Sequence, residues 1–379
     1  MLRWHIRRRL VANVFSHKSS SSDTANARDG AAREIERGKK EQKKMVRRKL
    51  QLLLLLKPLD DYAVAAQSHG LPRIANPQIL HHLDSRSKVH REAIRFCQNV
   101  LRRKLVDWEP ILRDNVSQPI RNVDMVVTVG GDGTLLHASH FVDDSIPLLG
   151  VNSDPTQVAE VEEFGNQYDA TRSTGFLCAA TVDNFEQILD DILEGQLQPS
   201  ELSRISICVN SAPLSTYALN DVLVAHQCPA AVSRFSFRIK RNGQSCSPAV
   251  NCRSSGLRVS TAAGSTAAML SAGGYQMPIL SRDLQYMVRE PISPGAASNL
   301  MHGFLNPDQN MEVAWFGKEG VIYIDGCNVC YTVKDEDTLE ISSSKAPVLK
   351  VYLPPRLLEK RVLPIRRTSD AEKLKVSRL

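Results

Sequence analysis

The stretch Val126-Val-Thr-Val-Gly130-Gly131-Asp132-Gly133-Thr134-Leu135-Leu136 limits the possible fold more than any other part of the chain. An apolar run from Val123 to Val129 ends in glycines and passes straight into helix-forming residues. A run that is apolar on both faces is the pattern of a parallel strand covered on each side. Glycines at its end remove side chains, so backbone N–H groups can approach a polyphosphate, and a helix start adds partial positive charge. The pattern is neither the GxGxxG fingerprint nor the Walker sequence, which requires Gly-Lys followed by Ser or Thr. Its unusual member is Asp132, whose charge opposes phosphate. Accepting a proton from an attacking hydroxyl and organising Mg2+ are the roles open to it. A functionless Asp-Gly turn is the plain alternative, and the two glycines ahead of it argue against that. His137 and His140 read as packed or solvent-facing helix residues.

Around this turn the pattern changes once. From Gln51 to about Glu201 strands and helices alternate, beginning with a buried strand at Leu52–Leu56. Asp183-Asn-Phe-Glu186 predicts a helix N-terminus with Asp183 as cap, and Gly195 closes that helix. After Leu202 short strands take over, among them Arg204–Val209, Arg234–Lys240 ending at Asn242-Gly243, and Gly320 to Asp325-Gly326. The expected domains are a basic extension (1–49), an α/β domain (50–201), a β-rich domain (202–344) and a return segment with tail (345–379).

The formal charge of +7 is unevenly spread. Residues 1–49 hold 15 Lys+Arg against 5 Asp+Glu, and the remainder holds 33 against 36. The globular part is therefore mildly acidic, which argues against a nucleic-acid-binding core. No apolar segment is long enough to span a bilayer. Residues 1–22 are Arg- and Ser-rich without an acidic residue, the composition of an organellar transit peptide, with a disordered tail as the plain alternative. Met45 offers a shorter start. At the other end Ser377-Arg378-Leu379 matches a peroxisomal import tripeptide. Peroxisome or cytoplasm is the expected location, and the N-terminal signal competes with it. Cys327-Asn-Val-Cys330 lacks the second pair that a zinc site needs and is read as buried thiols on strands.

Two further segments carry chemistry. Asn220-Asp221 stand at the start of an apolar strand, where alternation turns at least one side chain to a cleft or edge. From Ser254 to Gly274 small and hydroxylated residues dominate, including Gly264-Ser-Thr266-Ala267-Ala268 and Ser271. Such a surface suits either a flat ligand or tight backbone packing.

In this order, GGDGT, the Asn-Asp strand and GSTA…SAGG resemble the NAD kinase family over about Leu50 to Pro355. The resemblance implies a Rossmann-like N-terminal α/β domain and a C-terminal sandwich-like β-rich domain, with the chain end returning to the first. It implies that Asp132 is the general base for an adenosine ribose 2′-hydroxyl. Gly130, Gly131, Gly133 and Thr134 would hold phosphates of ATP, with Mg2+ bridging them. Asn220, Asp221, Arg253, Ser255, Thr266, Ala267, Ala268 and Ser271 would contact NADH or NAD+. A homo-oligomer, most simply a homodimer, follows from the same resemblance.

The chain departs from the family pattern at four places. Ser255 stands where an Asp is usual, Ala268 where a Tyr is usual, and Asp221 where the family has Glu. The stretch Asn152–Gly175, with Glu160, Glu162 and Glu163, is longer than the family's loop. SRDLQYMVREPISPG and Asp325-Gly326 are similar to short plant-type NADH kinases, so NADH is the expected acceptor and NAD+ the weaker one. A lipid kinase sharing the GGDGT turn and a catalytically silent dinucleotide sensor are the alternatives.

Overall fold

The computed structural model describes residues 49–58 and 77–359, all but Lys49 within the unit Leu50–Leu379. The proposed transit peptide, Met45 and Ser377-Arg378-Leu379 lie outside the described residues.

The first sheet is built from β1 (Leu50–Leu56), β2 (Val106–Leu112), β3 (Met125–Gly130) and β4 (Leu148–Asn152), parallel in the order β2-β1-β3-β4. Helix α1 (Pro77–Arg103) joins β1 to β2, and α2 (Asp132–Ser139) follows β3. All six residues of β3 are buried. Val127 and Val129 pack on one side with Cys97, Leu101 of α1 and Phe185, whereas Val126 packs on the other with Leu135 and Ala138 of α2. Cover on both faces is what the unbroken apolar run requires. Beyond β4 the sheet continues with Leu349–Tyr352, parallel to it, and then Ser200–Leu202, antiparallel. The end of the described chain thus returns to the first sheet.

Helix Phe185–Leu193 starts one residue later than expected. Asn184 is its N-cap, and the Asn184 side-chain Oδ1 accepts from the Thr181 N–H at 2.8 Å instead of capping the helix. Asp183 is not the cap. Gly195 closes the helix with φ +76°, as read.

The second half is antiparallel. A six-stranded sheet has the order His302–Leu305, Leu284–Arg289, Gly256–Ser260, Asp221–Ala225, Glu319–Ile324, Val329–Lys334. A seven-stranded sheet is centred on Ser233–Arg241 and Gln309–Trp315. Val222, Val224, Leu257, Val259 and Tyr286 of the former meet Phe235, Phe237, Val313, Trp315 and Ile341 of the latter in one core. The α/β domain with a sandwich-like β-rich partner is therefore the observed fold. Asn242 and Gly243, with φ +51° and +80°, close a two-residue hairpin between Arg241 and Gln244. The second Asp-Gly turn is wider: Ile324 pairs with Val329, leaving a four-residue loop. The side chain of Asp325 in that loop turns inward, for reasons given below.

Two other sequence readings need correction. Cys327 and Cys330 are exposed, not buried strand thiols. The strand expected over Arg204–Val209 begins at Ser206, and Arg204, ahead of it, is only 1% exposed. Its guanidinium donates to the carbonyls of Ser139 and Val142 at the end of α2 and of Pro347 and Val348 ahead of the returning strand.

Candidate active site

β1, β3 and β4 all end on one side of the sheet, and the glycine turn sits at those carboxyl ends, the usual position of ligands in open α/β sheets. A Cβ on Gly130 would lie 2.2 Å from Thr134 Oγ1, and one on Gly131 would lie 2.3 Å from Ser173 Oγ. A side chain at either position would have to displace Thr134 or Ser173. Gly133 faces open space. Thr134 is buried, and its Oγ1 has no hydrogen-bond partner among the described residues.

Asp132 is the first residue of α2, where a negative charge is favoured by the helix dipole. Its Oδ2 accepts from the Phe176 N–H at 2.7 Å and its Oδ1 from the Leu177 N–H at 2.8 Å. The charge that opposes phosphate therefore anchors the loop that covers the turn. Burial and this neighbouring carboxylate push the Cys178 thiol well up, so it stays protonated. Gly175 must be glycine: its φ is +56° and a Cβ would strike Asn152 Nδ2 at 2.3 Å.

The long stretch after Asn152 is a folded flap. It carries the helix Val158–Phe164 and is strapped by Arg172, which bonds Asp154 at 2.7 Å and Glu160 at 2.7 Å. Glu162 and Glu163 point to solvent. Arg86 of α1 reaches Asp154 from the other side at 3.0 Å. Between flap, α1 and turn lies a small cavity of about 40 Å³, lined by Lys57, Arg86, His90, Gly131 and Ser153. His90 is fixed there by Ser153 Oγ at 2.7 Å and the Lys57 carbonyl at 3.0 Å. Lys57 and Arg86 bring positive charge beside the glycines, and neither stands out in the sequence.

A second, larger cleft of about 560 Å³ lies against the six-stranded sheet. Alternation explains its floor: Val222, Val224, Leu257 and Val259 face the sandwich core, so Asp221, Leu223, Ala225 and Arg258 face away from it. Ser255 and Ala268 line the same cleft, with Arg289, Tyr323 and Cys327. Asp221 is ion-paired with Arg258. Burial pushes the Asp221 carboxyl up, Arg258 works against the rise, and nearby Asp325 adds to it. The Asn220 Oδ1 is buried without a partner among the described residues, as is the Arg258 Nε.

The hydroxyl-rich stretch mainly serves packing. Ser260 and Thr261 donate to the carbonyls of Asn220 and Leu219, and Ser265 to that of Ala262. Gly264 lets the chain press on Asn220, whose carbonyl oxygen would be 2.1 Å from a Cβ. Thr266 donates to the Ala263 carbonyl at 3.3 Å, and Ala267 turns the chain into the short helix Ala268–Ser271. Ala268 and Ser271 are exposed, and Ser271 lines a depression that shares Arg258, Ala268 and Arg289 with the cleft. Arg253 is not brought to it. The side chains of Cys252 and Ser254 point inward, so Arg253 points out into a separate depression with Asn251 and Ile292.

Among known proteins, the family description "ATP-NAD kinase N-terminal domain" matches residues 27–155. An NADH kinase of Arabidopsis thaliana is 64% identical over 303 residues, covering 80% of this chain and 95% of that protein. The chain belongs to the NAD kinase family.

A probable NADH kinase of Oryza sativa subsp. japonica is 56% identical over 318 residues, covering 81% of this chain and 98% of its own length. Two solved structures share the kinase fold. An NAD kinase from Archaeoglobus fulgidus in complex with ATP superposes with a TM-score of 0.56 at 20% identity, over 81% of this chain and 95% of that one. Yeast NADH kinase complexed with NADH gives 0.57 at 14% identity, over 84% and 89%. In this kinase three of the four departures from the family pattern cluster: Asp221, Ser255 and Ala268 all line the larger cleft, whereas the long stretch Asn152–Gly175 lies beside the intact glycine turn.

Proposed function

We propose that this chain transfers the γ-phosphoryl group of ATP to the adenosine ribose 2′-hydroxyl of NADH, giving NADPH, with NAD+ as a weaker acceptor. The observation that carries it is the adjacency of the two segments the chemistry requires. Leu135 and Ala138, on the helix that begins at Asp132, share one apolar cluster with Leu219 and Ala263. The phosphate turn and the Asn220–Asp221 pair are thereby built onto one core. Gly130, Gly131, Gly133 and Thr134 would hold the donor phosphates through backbone N–H groups, and Lys57 and Arg86 would add positive charge. Asp132 would take the hydroxyl proton as the oxygen attacks phosphorus in line. Each of its oxygens accepts one backbone N–H, and the further donors, Thr174 Oγ1 at 3.5 Å and Cys178 Sγ at 3.9 Å, are long contacts that an incoming hydroxyl would displace.

Mg2+ characteristically binds through substrate phosphates, water and one or two carboxylates. Contacting Mg2+ is the alternative role for the Asp132 carboxylate, whose oxygens already accept the Phe176 and Leu177 N–H groups. A bound Mg2+ would neutralise charge developing on the phosphates.

The acceptor preference is supported by the relatives named NADH kinase and by Ser255. An aspartate in its place would favour the cationic oxidised ring over the neutral reduced one. Assaying the full chain with Mg-ATP should give faster product formation from NADH than from NAD+. The reverse order would discard the preference and keep the kinase; no product from either would discard both.

A homodimer and a peroxisomal address at Ser377-Arg378-Leu379 complete the proposal. Light scattering should give twice the 42.1 kDa chain mass. A fluorescent protein fused to the N-terminus should lose its punctate distribution when the last three residues are removed, and an unchanged pattern would reject the address.

A further inference from the structure

The carboxylate of Asp325 is fully buried, and it serves both halves of the site. Its Oδ1 accepts from the N–H groups of Asn220 at 2.7 Å and Asp221 at 3.0 Å. Its Oδ2 accepts from the Leu219 N–H at 2.8 Å and lies 2.8 Å from His140 Nε2. The Asp325 N–H in turn donates to the Asp221 carbonyl at 2.9 Å. Asp325 has φ +52°, a left-handed conformation that a non-glycine residue adopts at a cost and that surrounding contacts must enforce. The four hydrogen bonds to its carboxylate provide that enforcement.

His140 is the C-cap of α2, and Asp132 is the first residue of the same helix. An eight-residue helix is a stiff strut of about 12 Å. One end therefore carries the carboxylate assigned to the hydroxyl proton. The other is bonded, through Asp325, to the backbone of the pair assigned to the ribose. The His140 side chain is 9% exposed and that of Asp325 is 0% exposed, so water does not readily replace the contact.

We infer that His140 is a positioning residue for phosphoryl transfer, setting the distance between Asp132 and the Asn220–Asp221 pair through the carboxylate of Asp325. The inference rests on the kinase reading above. His140 touches neither substrate in this arrangement; it fixes where the ribose is held relative to the proton acceptor. Reacting groups displaced by about 1 Å can lose two orders of magnitude in rate. The expected signature is therefore on kcat more than on KM.

Three variants of the full chain test this, each assayed per folded molecule with thermal unfolding followed in parallel. His140→Ala should lower kcat by about tenfold or more, with the KM values for ATP and NADH changed less than about threefold. His140→Gln keeps an N–H donor near the Nε2 position and should recover most of kcat. His140→Asn, chemically alike but too short, should not. Wild-type kcat in the Ala variant, or equal losses in the Gln and Asn variants, would overturn the positioning role alone. So would a loss that appears only as a lower unfolding temperature or a raised KM. If the Ala variant fails to fold, the Gln and Asn pair still decides the matter. An unaltered chain that phosphorylates neither NADH nor NAD+ would overturn this inference together with the kinase reading.

Discussion

Asp132→Asn should bind NADH within a few-fold of the unaltered chain and turn over roughly two to four orders of magnitude more slowly, the usual weight of a general base. The structure adds a second expected effect. The carboxylate accepts the Phe176 and Leu177 N–H groups, one on each oxygen. An asparagine offers a carbonyl to one and an N–H to the other, so one donor is orphaned at a cost of about 1–3 kcal/mol. The variant should therefore lose thermal stability as well as turnover. Measuring NADH binding by its own fluorescence separates the two, because a merely loosened flap would weaken binding along with rate. Turnover near that of the unaltered chain would remove Asp132 from the chemistry.

Arg204→Leu should destabilise the protein by roughly 3 kcal/mol or more, since at least two carbonyls lose their donor at about 1–3 kcal/mol each. At about 1.4 °C per kcal/mol for a folded unit of some 330 residues, the unfolding temperature should fall by about 4 °C or more. Arg204 has no carboxylate partner among its hydrogen bonds; all four acceptors are backbone carbonyls. A lysine has one nitrogen in place of the fork and should recover only part of the loss. A change below about 2 °C would show that water satisfies those carbonyls as well as the guanidinium does.

These two residues also show which features could be read from the chain. The strand, glycine turn and helix around Asp132 were legible because their requirements are local: glycines precede Asp132 where the backbone approaches Thr134 and Ser173 within a few ångströms, and a helix follows. The fold class was legible for a similar reason, since a run apolar on both faces and short alternating strands each report the layer they lie in. Arg204 was not legible. Its partners, Ser139, Val142, Pro347 and Val348, are brought together only by the joining of the two halves. The contacts of Arg258 and Asp325 were hidden for the same reason, since each bonds a residue far away in sequence, and the reading of His140 as a packed helix residue left its partner Asp325 unnamed. Asp325-Gly326 looked like a turn signal because aspartate tolerates positive φ, and that tolerance hides the inward carboxylate. The hydroxyl-rich stretch was ambiguous on principle. A serine that bonds a neighbouring carbonyl and one that bonds a ligand look the same until the backbone beside it is known. Strand alternation turns Arg253 away from the larger cleft and into a separate depression.

The strand Leu349–Tyr352 lies beside β4 in the first sheet, and the whole sandwich is threaded between the two in chain order. On a ribosome this sets a timetable. β1 to β4 emerge early, but the neighbour that Leu148 and Leu149 require is among the last segments to leave the exit tunnel. Until then only Val151 and Asn152 of β4 have a neighbour on that side, the strand Ala180–Thr181, and the Leu148–Leu149 part is an unpaired apolar edge, the kind of surface that chaperones cover and that invites misassociation. The sandwich can assemble during that wait, and its completion delivers the missing strand to the waiting edge. The sheet that carries the glycine turn is therefore completed by a strand that follows the whole sandwich in chain order.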